Sequence, residues 1–324
     1  MSPVLVTGSA GFIGYHVCEY LLKRQETVIG IDNLNDYYDP NLKKARLKKL
    51  QTHKNFHFVE LDLSDRKAVS QFADKHPNIE RIVHLAAQAG VRYSLENPFA
   101  YTDANIQGHL AILEACRKLP VKHLVYASSS SVYGMNEKLP FSVEDPVDTP
   151  MSLYAVTKRS CELMSFCYSH LFQIPSTGLR FFTVYGPWGR PDMSAFIFTR
   201  AILENQEIPV FNYGDMRRNF TYIDDIVQGT IACLDTPPAP EAAQHRLYNL
   251  GNDRAESLMD FIHTLEKIIG KKAHINLMPI QPGDVKETIA DITKTTQDFG
   301  FQPKTNIDEG LTHFVHWYRE FYGI

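Results

Sequence analysis

Cysteine is scarce. The chain of 324 residues has five, Cys18, Cys116, Cys161, Cys167 and Cys233, odd in number and never spaced C-x-x-C. That pattern excludes a disulfide framework and a zinc knuckle and suits a reducing compartment. Long apolar runs are missing too, so no stretch is expected to span or bind a membrane. The N-terminus has no basic region and reaches Gly8 before a signal core can form, so the expected location is cytoplasmic. Neither charge sign dominates: 33 Lys plus Arg against 37 Asp plus Glu leave −4. A weakly acidic chain without a Lys/Arg run is a poor nucleic-acid partner. The 13 histidines show no ligand spacing. His313 and His316 on the last helix read as surface or interface residues, and no metal is expected. Repeats and low-complexity segments are absent. What remains is ordinary globular composition, 44% hydrophobic and 22% charged, with enough length for a large core.

Short apolar runs alternate with stretches of helical period. Strands are expected over 4–6, 27–32, 56–60, 81–85, 123–128 and 176–182, and helices over 12–24, 43–50, 65–75, 99–118 and 153–170. Strict alternation of this kind implies an α/β, doubly wound parallel sheet covered by helices on both faces. The rhythm breaks after Gly186, where residues 187–192 carry loop chemistry. A strand over 220–222 opens a helix over 223–234, a Pro-rich linker spans 236–240, and amphipathic helices cover 258–269 and 311–322. Leu311, Phe314, Val315, Tyr318 and Tyr322 form one stripe on the last of these, as core packing requires.

Gly8-x-x-Gly11-Phe12-Ile13-Gly14 joins the first strand to the first helix. Glycines there allow a tight turn and close approach of backbone to a pyrophosphate, and the helix N-terminus adds unpaired N–H groups and a dipole. Asp32 closes the second strand 18 residues past Gly14, where a carboxylate accepts from both ribose hydroxyls and repels a 2′-phosphate. Asp62 and Leu63 follow the third strand and suit adenine, or a helix cap. Leu85, Ala86 and Ala87 follow the fourth, small enough for backbone to pass a cofactor. NAD is the expected cofactor; Lys43 and Arg46 leave NADP open.

Tyr154 and Lys158 stand at i and i+4 on one helical face. A free tyrosine titrates near about 10, and a neighbouring cation favours the phenolate that a general base needs. Ser128 to Ser131 end the fifth strand, on the rim where open α/β sheets place their sites.

These segments together resemble the extended short-chain dehydrogenase/reductase superfamily. The motifs are Thr7-Gly8-x-x-Gly11-x-x-Gly14, Asp32-Asn33-Leu34, Ser128-Ser129-Ser130-Ser131-Val132-Tyr133-Gly134, Tyr154-x-x-x-Lys158 and Arg180-x-x-x-x-Tyr185-Gly186-Pro187. Within it the chain is most similar to nucleotide-sugar 4-epimerases. The runs 32–39, 186–193 and 213–218 resemble those of UDP-glucuronate 4-epimerases. The resemblance implies a Rossmann-like NAD-binding domain over 1–185, with a return segment near 218–245. A smaller, discontinuous C-terminal substrate-binding lobe would occupy 186–324. It implies cofactor contacts from Asn33 and Asn35, Tyr154 as general base, and Lys158 on the nicotinamide ribose. Ser129, 25 residues before Tyr154, would bond the sugar O4, with Ser131 able to share that role.

Two related chemistries begin with the same oxidation. Dehydratases then use an Asp–Glu pair and decarboxylases a Glu near the serine site, and those acids would fall at Ser130 and Ser131. A hydroxyl is a poor general acid near neutral pH, which disfavours both. Arg190 is the candidate for the C6 carboxylate of a glucuronate, since a guanidinium fork matches it. Thr183 and Ser131 are further sugar contacts. Arg218 resembles the family's diphosphate-binding arginine, or pairs with Asp224 or Asp225. Asp284 is a candidate for a ribose or for a turn cap, while Gln281 stands where a second diphosphate arginine is expected. The expected partner is thus a UDP-sugar. The expected activity is 4-epimerisation of UDP-glucuronate. A neutral UDP-hexose epimerase or a silent NAD-binding regulator are the alternatives. The resemblance also implies a homodimer through the 99–118 and Tyr154 helices.

Overall fold

The computed structural model describes residues 2–239, 241, 244–281 and 285–324. The apolar runs become strands β1 (Val4–Thr7), β2 (Val28–Asp32), β3 (Phe56–Glu60), β4 (Arg81–His84), β5 (His123–Ser129) and β6 (Ser176–Phe181). Short strands β7 (Thr183–Tyr185), β8 (Glu207–Val210), β9 (Arg217–Arg218) and β10 (Phe220–Tyr222) follow, and then β11 (His245–Leu250), β12 (Glu256–Ser257) and β13 (His274–Leu277). The main sheet has seven strands in the order β11-β6-β5-β4-β1-β2-β3, every neighbouring pair parallel. The order reverses between β1 and β4, so the crevice beyond their carboxyl ends is the place for a ligand. The chain returns to this sheet with β11, which begins at His245.

The helices are α1 (Phe12–Lys23), α2 (Pro40–Leu50), α3 (Arg66–Lys75), α4 (Tyr93–Glu96), α5 (Pro98–Tyr101) and α6 (Gly108–Lys118), then α7 (Leu153–Phe172), α8 (Ser194–Leu203), α9 (Ile223–Leu234), α10 (Leu258–Ile269), α11 (Thr293–Phe299) and α12 (Ile307–Tyr322). Strand side chains alternate between faces. Leu5, Ile29, Ile31 and Leu124 pack with Val69 and Phe72 of α3 and Ile112 and Leu113 of α6. Val4, Val6, Val28 and Val125 pack on the other side with Val17 and Leu21 of α1 and Val227 and Ile231 of α9.

Three differences from the sequence reading have local causes. The helix expected over 43–50 starts at Pro40, because Asp39 accepts from Asn41 N and a proline at the first turn loses no bond. The helix expected over 311–322 starts at Ile307, capped by Asn306. The single helix expected over 99–118 is interrupted by a wide π-helical turn, Thr102–Gln107. In the C-terminal lobe α10 packs on α8 and α12. Leu311, Phe314, Val315 and Tyr318 are buried there, whereas Tyr322 is 40% exposed at the last turn, outside the core expected of it.

Candidate active site

The cofactor cradle is built by close backbone approach. Gly8 has φ +72, and a Cβ there would lie 2.8 Å from Ala86 N. A Cβ on Gly14 would lie 2.0 Å from Gly8 O. No side chain caps α1 at Gly11, and its first turn has no acid, so its N–H groups are left for an anion. Asp32 is fixed from both sides: Ala10 N donates to Oδ2 at 3.0 Å and Leu34 N to Oδ1 at 2.9 Å. Asn33 Nδ2 donates to Asp62 Oδ2 at 2.9 Å, and Asn35 N to Asn33 Oδ1 at 3.2 Å. Burial pushes the Asp62 carboxyl up, but the bonds from Asn33 and Ser64 outweigh it and hold it below the usual carboxylate range. The cap of α3 is Asp65, not Asp62.

The cradle opens on a cavity of about 380 Å³, within the range of small-molecule sites. Gly8, Gly11, Phe12, Ile13, Gly14, Asp32, Asn33, Asn35, Asp62, Leu63, Leu85, Ala86 and Ala87 form one part of its wall. Ser129, Ser131, Tyr154, Lys158, Thr183 and Arg190 form another. The glycine cradle, the uncapped helix and the anchored Asp32 fit a dinucleotide. The residues that left NADP open do not serve a 2′-phosphate. Arg46 is fully buried and bonds Ala10 O and Trp188 O, and Lys43 Nζ donates to Asn35 O at 2.7 Å and Oδ1 at 2.6 Å.

On the rim, Lys158 Nζ donates to Ala127 O at 2.9 Å, which sets the ammonium beneath the end of β5. Ser129 Oγ donates to Ser131 Oγ at 3.1 Å and accepts from Ser131 N at 3.2 Å. The frame behind them is ionic. Glu162 of α7 accepts from Arg180 Nε at 2.8 Å, from Arg180 Nη2 at 3.0 Å and from Ser128 Oγ at 2.7 Å. Burial raises the Glu162 pKa, and the Arg180 guanidinium more than reverses that. The wide turn has a purpose in this frame. Asn105 accepts from Gln88 N and donates to Gln88 O and to Thr157 Oγ1, tying the loop after β4 to α7 one residue from Lys158.

In the second part of the wall, Arg190 donates to Asp192 through Nε at 2.9 Å and Nη2 at 2.7 Å. Burial works against the guanidinium charge, but Asp192 holds its pKa above the ordinary value. Nη2 also reaches Met193 Sδ at 3.7 Å, and among the described residues Nη1 has no hydrogen-bond partner, so Nη1 is the nitrogen Arg190 offers a further acceptor. Tyr37, Asp192 and Gly90 belong to this part of the site and were missed. Tyr37 OH donates to Asp192 Oδ2 at 3.1 Å, across 155 positions of sequence, and no local pattern carries such a pairing. Arg218 lines an adjoining cavity shared with Ser131 and Thr183, and donates to Arg217 O and Lys286 O, both at 3.0 Å. Asp225 accepts from Lys304 N and Thr305 N. Asp284 lies outside the described residues.

A dinucleotide cradle at the switch point, facing serine, tyrosine and lysine on the strand rim, defines an extended short-chain dehydrogenase/reductase. The chain belongs to the NAD dependent epimerase/dehydratase family, whose model matches residues 4–251. It is 48% identical to Protein CapI of Staphylococcus aureus, covering 98% of this chain and 99% of that one. It is 45% identical to a probable UDP-glucuronate 4-epimerase of Rhizobium meliloti, covering 98% of this chain and 97% of that one. The structure superposes with a TM-score of 0.91 on the UDP-glucuronic acid 4-epimerase of Bacillus cereus in complex with UDP-glucuronic acid and NAD. That protein is 36% identical, with 99% of this chain and 100% of that one covered.

Proposed function

We propose that the protein is an NAD-dependent UDP-glucuronate 4-epimerase that forms UDP-galacturonate through a 4-keto sugar. The observation that carries this reading is one continuous wall: the dinucleotide cradle, the Ser129–Tyr154–Lys158 rim and the Thr183–Arg190 end face a single cavity. Held in the cradle, NAD would supply the hydride acceptor and donor that C4 needs. Tyr154 Oη takes the O4 proton, Ser129 hydrogen-bonds O4, and Lys158 holds the ribose. Once the keto sugar presents its opposite face, Tyr154 would give the proton back to O4, and C4 would be inverted with no net redox change. Ser130 and Ser131 offer hydroxyls where elimination or decarboxylation needs a carboxyl, which leaves return of the hydride as the exit.

The 4-keto glucuronate is a β-keto acid prone to lose carbon dioxide. Arg190 through Nη1, with Thr183 and Ser131, holds its C6 carboxylate out of the geometry that cleaves C5–C6. Asn33, Asn35, Asp32, Asp62 and Leu63 take the adenosine half, and Arg218, with Asp284, the UDP half. In this reading 1–185, with a return segment near 218–245, form the cofactor domain, 186–324 form the discontinuous substrate lobe, and residues of both contact the sugar nucleotide. Four of the five free cysteines are buried and Cys167 is exposed, which suits a cytoplasmic enzyme. No helix among the described residues is long and apolar enough to cross a membrane. Leu110 of α6 and Leu163 and Phe166 of α7 are exposed, which supports a homodimer through these two helices. The functional test is NMR of products from UDP-glucuronate and, separately, UDP-glucose. UDP-galacturonate from the first is expected; turnover of the second alone points to a neutral-sugar enzyme, and turnover of neither to a silent NAD-binding protein.

A further inference from the structure

Arg46 is a buried cation of α2. It is fully buried, and among the described residues no carboxylate pairs with it. Its acceptors are neutral: Nη1 donates to Ala10 O at 2.9 Å and Tyr38 OH at 2.8 Å, and Nη2 to Trp188 O at 2.6 Å and Gly189 O at 3.4 Å. Nε has no partner. A buried charge without a counter-ion is costly, so its retention calls for a task. One end of it holds the glycine loop of the cradle; the other holds the two residues before Arg190. Trp188 is itself strained, a non-glycine residue at φ +63, and its carbonyl is the one that Arg46 holds most closely. Its ring is wedged against Tyr15, Trp317 and Phe321, with ring centres 5.6, 5.3 and 5.1 Å away.

A second tether leaves the same segment. Tyr37 OH donates to Asp192 Oδ2, and Asp192 grips Nε and Nη2 of Arg190. Tyr37 has little room to move: a Cβ on Gly90 would lie 2.5 Å from its hydroxyl, and its ring packs on Tyr93 at 4.8 Å. Lys43 bonds Asn35 and pins the segment between the two tethers. One tether thus sets the backbone before Arg190 and the other sets its guanidinium plane.

We propose that Arg46 and Tyr37 are positioning residues for recognition of the acidic sugar. They are two struts, from the segment directly after Asp32, that aim Arg190 Nη1 at the C6 carboxylate. Neither touches the reacting atoms. The inference rests on the proposed UDP-glucuronate reading and deepens it. A neutral hexose has no carboxylate for Nη1, so its binding should not depend on the struts.

The test is a double-mutant cycle on NAD-loaded protein. Tyr37→Phe and Arg46→Met are made singly and in an Arg190→Met background. KM and kcat are measured with UDP-glucuronate, and the UDP-glucose dissociation constant by calorimetry. Losing one hydrogen bond to a charged group predicts a KM raised about tenfold for Tyr37→Phe, with kcat and UDP-glucose binding within about twofold. Arg46→Met should raise KM further, and Arg46→Lys should restore part of the loss. Once Arg190 is Met, neither substitution should add to the KM. Losses that multiply with that of Arg190→Met, or that fall equally on UDP-glucose, overturn the inference. If Arg46→Met does not fold, the Tyr37→Phe cycle decides alone. A wild type that leaves UDP-glucuronate unchanged fails the functional reading itself, an outcome distinct from additive variants of an active enzyme.

Discussion

Tyr154 and Arg190 are assigned different parts of one reaction, and their substitutions should separate accordingly. Tyr154→Phe removes the proton acceptor and leaves the cradle intact. It should purify with NAD and lose about 10²–10⁴-fold in kcat, followed by coupled assay or NMR. A variant that keeps a tenth of its activity contradicts the assignment. Arg190→Ala should raise KM for UDP-glucuronate and release UDP-pentose as carbon dioxide is lost from the unheld keto acid, seen as a new anomeric signal by NMR. Unchanged KM and a single product remove Arg190 from that role. At this scale the sequence was informative wherever chemistry is local: Gly8 to Gly14, Asp32 and the Tyr154–Lys158 spacing can each be read within one element. Asp192 was not legible, because its importance depends on Arg190 and Tyr37 meeting it in space.

At the scale of elements, α7 is fixed to the sheet by charge. Glu162 meets Arg180 of β6 and Ser128 of β5, all three buried. Removing one partner strands the other, so Glu162→Ala should lower unfolding free energy by about 3–5 kcal/mol in urea titration. A loss under about 1 kcal/mol would mean that the pair is not structural. The central strands were readable because parallel strands covered on both faces are continuously apolar. The start of α2 was not, because Pro40 and Asn41 have no apolar period and only the Asp39 cap marks the boundary. The Thr102–Gln107 turn was not legible either. Its width answers to Asn105 reaching Gln88 and Thr157, a tertiary demand that leaves no trace in hydrophobic spacing.

For the molecule as a whole, pH should act through buried histidines. Burial is the main cause that lowers the pKa of His84, His109 and His123, well below 6.5 for His84, to about 3 for His109 and to about 4 for His123. The unfolded chain therefore takes up protons near 6.5 that the folded one refuses. Their stabilising effect is full above that pH and declines as pH falls toward the folded values, by up to about 1.4 kcal/mol per pH unit for each histidine. The urea midpoint should drop between pH 7.5 and 5, and a flat profile would contradict this. The exposed faces of α6 and α7 predict a dimer by analytical ultracentrifugation, converted toward monomer by Leu163→Glu with Phe166→Glu; a monomeric wild type would leave those faces unexplained. Epimerisation through a 4-keto sugar returns the same hydrogen to the same carbon, and an isotope placed there follows it. UDP-glucuronate deuterated at C4, incubated with NAD-loaded protein in ordinary water, should yield UDP-galacturonate with deuterium kept at C4. Galacturonate that has lost its deuterium to solvent, or no galacturonate at all, would contradict the account.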